Sequence, residues 1–164
     1  MATYTIKALQ KIPAKIDNVW ELFSNAANLQ KITPEDMGFR ILSELHNGPV
    51  FTGQLIEYKL KPLFGIPVYW MTEIMQVKEK EYFMDEQRKG PYRLWRHEHF
   101  FRPVEGGVEM TDVVTYQNPL GILGQLANMT MVKKKLRRIF EYRYHRIEEI
   151  FGKWPGQQPD IRIN

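Results

Sequence analysis

From residue 39 to residue 119 the chain alternates in side-chain character through six successive runs: FRILSEL, FTGQLIEYKL, PVYWMTEIMQV, EYFMDEQRK, YRLWRHEHFFRP and GVEMTDVVTYQNP. A two-residue period belongs to strands whose two faces meet different surroundings. Turn signals separate the runs: His46-Asn47-Gly48-Pro49, Pro62 to Pro67, Gly90-Pro91 and Glu105-Gly106-Gly107. Links this short join antiparallel neighbours and leave no length for helical crossovers. The chain is therefore committed to a meandering antiparallel sheet.

On either side of this stretch the period is different. Residues 3–12 alternate and add an opening strand. After Pro13, Asp17 stands where it can cap DNVWELFSN, with Trp20 and Phe23 on one helical face. A second short helix, about 25–32, ends before Pro34. Beyond Asn118-Pro119, Leu126, Met129, Val132, Leu136, Ile139, Phe140, Arg143, Ile147 and Ile150 recur at three- and four-residue steps, a long amphipathic helix stopped by Gly152 and Pro155. The expected fold is α+β: a seven-stranded curved antiparallel sheet around the long C-terminal helix, with two short helices between the first two strands. One domain spans 1–152, and 153–164 is expected to be an irregular tail.

Composition narrows the function classes. Hydrophobic residues make 43% and charged ones 26%, the globular range. Without cysteine there is neither a disulfide frame nor thiolate chemistry. MATYTIKALQKI lacks the apolar core of a signal peptide, and no run is long enough to span a bilayer, so a cytoplasmic protein is expected. The net charge of +4 owes much to residues 133–146, where KKKLRR, Arg143 and Arg146 face a single Glu. So modest an excess favours a solvated helix face, and no nucleic-acid partner is expected. A basic-helix module on anionic membrane or nucleic acid is the rival reading, and transient membrane contact stays open, with Phe64 to Pro67 as an apolar touch point. A monomer or weak dimer is expected.

Strand parity selects an inward set: Ile56, Tyr58, Trp70, Thr72, Trp95, His97, His99, Phe101, Met110, Asp112, Val114 and Tyr116. Arg96 and Glu98 then face water. An inward polar group without a partner costs about 1–3 kcal/mol. Two imidazoles, a carboxylate, two phenols and a threonine must therefore satisfy one another or surround a ligand. The plainest arrangement pairs His97 or His99 with Asp112 across adjacent strands; the same network can also touch a ligand. Met129, near the start of the long helix with Leu123 and Leu126, joins the ligand-binding candidates as lid or as core. His97, His99 and Asp112 are the catalytic candidates, limited to proton transfer because no nucleophile motif or phosphate loop is present. His-x-His with Asp112 lacks a third nitrogen ligand, and His46 and His145 lie elsewhere, so neither metal nor cofactor is expected.

This order of elements, with WxHxHxF followed by GxxMxDxVxYxxP, resembles the SRPBCC (START-like, birch-pollen-allergen-like) helix-grip superfamily. Within it the likeness is to a bacterial ligand-binding group loosely labelled cell-division-inhibitor-like. Phe83, Asp85, Gln87, Gly90-Pro91-Tyr92, Trp95, His97, His99, Phe101, Gly107, Met110, Asp112, Tyr116 and Pro119 carry it. The resemblance implies an internal cavity for a small hydrophobic or amphipathic ligand: a lipid, polyketide, isoprenoid or quinone-like molecule. It also permits a cofactor-free lyase, cyclase, hydratase or isomerase, and it implies no metal.

Overall fold

The structure, a computed structural model, describes residues 2–62, 65–119 and 131–164. Its elements are β1 (Tyr4–Ile12), α1 (Ile16–Ser24), two 3-10 turns (Ala26–Ile32 and Glu35–Met37), β2 (Arg40–Ile41), β3 (Leu55–Leu60), β4 (Val68–Lys78), β5 (Tyr82–Lys89), β6 (Leu94–Val104), β7 (Gly107–Gln117), α2 (Lys133–Phe151) and β8 (Asp160–Ile163). All eight strands form one antiparallel sheet in the order β2-β3-β4-β5-β6-β7-β1-β8. This is the expected helix-grip arrangement with one strand more than expected.

The extra strand comes from the tail. Residues 153–164 were expected to be irregular, yet Ile6, Lys7, Ala8 and Leu9 pair with Ile163, Arg162, Ile161 and Asp160. Gln157 prepares that pairing: its side chain accepts from Lys11 N at 2.7 Å and donates to Lys11 O at 3.1 Å, standing in for a strand neighbour. The run FRILSEL, by contrast, supplies only two strand residues. Leu42 N and Ser43 N both turn to Glu57 O, at 2.8 and 3.4 Å, while Ser43 Oγ accepts from Glu57 N; the ladder stops there.

The N-terminal helices also differ from expectation in detail. Lys15 occupies the N-cap of α1 with no side-chain cap, and Asp17 lies inside the first turn, paired with Lys80 at 2.7 Å. The second segment is a 3-10 helix, capped by Asn25 Oδ1 on Ala27 N. Thr33, extended before Pro34, ends it, and a further 3-10 turn follows.

Two shifts of register between β4 and β5, at Met71/Thr72 and Ile74/Gln76, bend the sheet as bulges do. In β7 every second residue from Val108 to Tyr116 is buried. Around Phe101 and Met110 the concave face is covered by Val19, Trp20 and Phe23 of α1. Around Val114 and Tyr116 it is covered by Val132 together with Leu136 and Phe140 of α2. Gly152, at φ +95°, ends α2 by returning its N–H to Glu148 O at 2.8 Å. Leu123, Leu126 and Met129, expected near the start of the long helix, and the touch point's Phe64 lie outside the described residues.

Candidate functional site

The pairing of β5, β6 and β7 builds a row of charge on the inner face. His97 stands opposite Asp85 on one side and Val114 on the other; His99 stands opposite Phe83 and Asp112. Because alternate residues share a face, Asp85, both imidazoles and Asp112 all point inward. Asp112 Oδ1 accepts from His97 Nε2 at 2.8 Å. The same oxygen lies 2.9 Å from His99 Nδ1, but off the line of a good hydrogen bond, so that contact is an ion pair. His99 Nε2 reaches Asp85 Oδ2 at 3.3 Å, and Thr72 Oγ1 donates to Asp85 Oδ1 at 3.0 Å. The imidazole centroids are 3.8 Å apart, and Phe83 stacks on His99 at 4.0 Å.

Arg143 reaches this row from α2. Its Nη1 is 3.8 Å from Asp112 Oδ2, its guanidinium lies 5.2 Å over the Phe140 ring, and its buried Nε has no partner among the described residues.

Burial, then the charge of neighbouring His99, pulls His97 down to about pKa 4, so it is neutral at pH 7. With Nε2–H given to Asp112, its Nδ1 keeps a lone pair. Burial works against charge on His99 too, but the carboxylates of Asp112 and Asp85 outweigh it and raise the pKa. Burial would raise both aspartates, yet the imidazoles hold Asp85 below, and Asp112 far below, the usual carboxylate range. Burial and then the Asp85 charge push the Tyr58 phenol up, leaving it a neutral donor. When His99 is protonated, two carboxylates face one imidazolium and one guanidinium, and the cluster is close to neutral.

This cluster forms one wall of a cavity of about 150 Å³. Of the residues selected by parity, Ile56, Tyr58, Trp70, Thr72, Trp95, His97 and His99 line it. Phe101, Met110, Val114 and Tyr116, also expected to meet ligand, are buried but do not line it: α1 seats on the first two and α2 on the second two. Asp112 sits behind the imidazoles and reaches the cavity only through them. Met129 lies outside the described residues. The rest of the wall is strongly aromatic. Trp70 stacks on Tyr58 and meets Trp95 edge-on, and Phe39, Tyr92 and Phe140 complete the box.

Parity reading passed over Asp85 and Arg143. Asp85 shares its strand face with Phe83, so continuing the alternation from that residue places it inward. Arg143 stands within the apolar stripe of α2, at helical spacing from Phe140 and Ile147, an odd place for a solvated cation. Other cations of that helix answer to this chain: Lys135 and Arg138 engage Asp36, and Arg137 donates to Ile161 O. Among the described residues no helix is long and apolar enough to cross a membrane.

Neither a scan against protein-family models nor a search of curated proteins finds a match. Solved structures do match. Protein CV1439 from Chromobacterium violaceum aligns with a TM-score of 0.69 at 10% identity, over 92% of this chain and 98% of that one. The major latex-like protein 151 of Panax ginseng gives 0.65 at 12%, over 91% and 97%. A Thermus thermophilus protein, TTHA0849, gives 0.63 at 18%, over 88% and 94%. The chain therefore has the birch-pollen-allergen-like helix-grip fold. Likeness at these identities defines the architecture, and the chemistry must come from this chain's own residues.

Proposed function

We propose that the protein binds a small amphipathic molecule in the cavity between sheet and α2, its apolar body in the aromatic box and its polar end at His97, His99, Asp85 and Arg143. The observation that carries this reading is a buried charge cluster opening onto an apolar void rather than being sealed in the core. A cavity of about 150 Å³ accommodates a molecule of benzene size. Drug-sized ligands occupy about 300–1,000 Å³. Size thus favours a compact ring, quinone-like or a small polyketide or isoprenoid unit, over a long acyl chain. Membership of the cell-division-inhibitor-like group belongs to this reading only through the Trp95, His97, His99 and Phe101 motif.

A second reading is acid/base catalysis on the bound molecule. His97 supports it, being neutral, held at Nε2 by Asp112 and keeping a lone pair on Nδ1.

Native mass spectrometry of protein purified without an affinity tag, followed by extraction, tests the binding proposal. A stoichiometric ring-containing compound released on denaturation is the expected result. A bare chain that also takes up no aromatic probe contradicts it. For catalysis, His97→Gln should abolish turnover of the released compound while the folded protein still binds it.

A further inference from the structure

We infer that Asp85, His97 and His99 form a site for one divalent first-row transition-metal ion, with Asp112 holding both imidazoles in the ligating orientation. The expectation that no metal binds rested on a missing third ligand. Asp85 supplies it, brought opposite His97 by the pairing of β5 with β6. One candidate ligand atom from each of the three residues lies within 4.8 Å of the others. Two ligands about 2.1 Å from one ion at the tetrahedral angle are about 3.4 Å apart, so closing the set needs the side chains to approach by up to about 1.4 Å.

The second observation is independent of that clustering. Asp112 Oδ1 accepts from His97 Nε2 and lies 2.9 Å from His99 Nδ1, so it addresses one nitrogen of each ring and leaves the opposite one. A carboxylate that fixes the far nitrogen of an imidazole is the usual support behind a metal-bound histidine. Here one oxygen hydrogen-bonds one ring and ion-pairs with the other, both rings more than nine-tenths buried. His97 Nδ1 has no partner among the described residues, and His99 Nε2 is held only by Asp85, itself the third ligand.

Two imidazole nitrogens and one carboxylate oxygen suit iron(II), cobalt(II) or zinc and leave coordination positions open. All three ligands line the cavity, so the open positions face whatever occupies it. With both imidazoles neutral, the ion, the two aspartates and Arg143 leave one positive charge. The site would thus favour a ligand carrying an anionic oxygen.

The test is titration of the tag-free, chelator-treated full chain with Co²⁺, followed by calorimetry and visible absorption. The expected result is one ion per chain with micromolar Kd or tighter. Asp85→Asn should weaken binding at least about tenfold, and Asp112→Asn by about 10–100-fold. His145→Gln, at the exposed pair with Glu148, should change nothing. Absence of saturable binding, full affinity in Asp85→Asn, or loss in His145→Gln each overturns the inference. Should Asp112→Asn fail to fold, the near-isosteric Asp85→Asn still decides. A chain that takes up aromatic probe but no Co²⁺ overturns the metal site and leaves the binding proposal intact.

Discussion

Asp112 concentrates the demands of the site on one side chain. Buried without its partners, a carboxylate would be expelled or protonated; here His97, His99 and Arg143 hold it ionised. Replacing it with Asn keeps the shape and removes the charge that stabilises imidazolium on His99. We expect a loss of about 3 kcal/mol in urea unfolding for Asp112→Asn in metal-free protein. Arg96, one position from His97 but on the outer face, is half-exposed and pairs with Glu86, which keeps Arg88 as a second partner, so Arg96→Ala should stay within about 0.5 kcal/mol. Parity made His97, His99 and Asp112 legible because β6 and β7 alternate cleanly. Asp85 was harder: EYFMDEQRK is polar at both parities after Met84, so Phe83 alone marks the inner face until the pairing with β6 makes it plain. Arg143 stayed hidden because a cation among other cations on a helix looks solvated until the sheet beneath it is known.

At the scale of elements, close approach and edge pairing decide what forms. A Cβ on Gly107 would lie 2.0 Å from the Ile12 carbonyl oxygen, backbone that cannot swing aside. Gly107→Ala should therefore cost about 2 kcal/mol or more, read by thermal unfolding, and should loosen the β1–β7 pairing. The short strand β8 covers the outer edge of β1, where Ile161 packs on Ile6. Truncation after Gly152 should lower the melting temperature, speed amide exchange along β1 and promote association through the bared edge. Long elements were readable because their period repeats. β8 was not, since DIRI is too short to show a period and sits among prolines, and its state is set by a strand some 150 residues earlier. The helix type of 26–32 was likewise beyond pattern reading, because apolar spacing cannot separate one short helical turn from another.

Across the whole molecule, the feature that needs explaining is space left unfilled. At about 24 cal/mol per Å³, a void of about 150 Å³ forgoes roughly 3–4 kcal/mol of packing, a large share of a domain's stability. The bulged turn of β4 against β5, with α1 covering one end of the sheet and α2 the other, keeps that space open. Parity alone shows which side chains look inward; it cannot show which of them meet a helix and which meet the void, and so Phe101, Met110, Val114 and Tyr116 turned out to be covered. The most direct measurement is quenching of tryptophan fluorescence by a single-ring quinone, in the natural chain and in Ile139→Phe, whose larger side chain stands at the α2 wall of the cavity beside Trp70 and Trp95. Saturable one-to-one quenching that disappears in the folded Ile139→Phe variant is the predicted result. Equal quenching in both proteins, or none in either, would contradict an internal binding cavity.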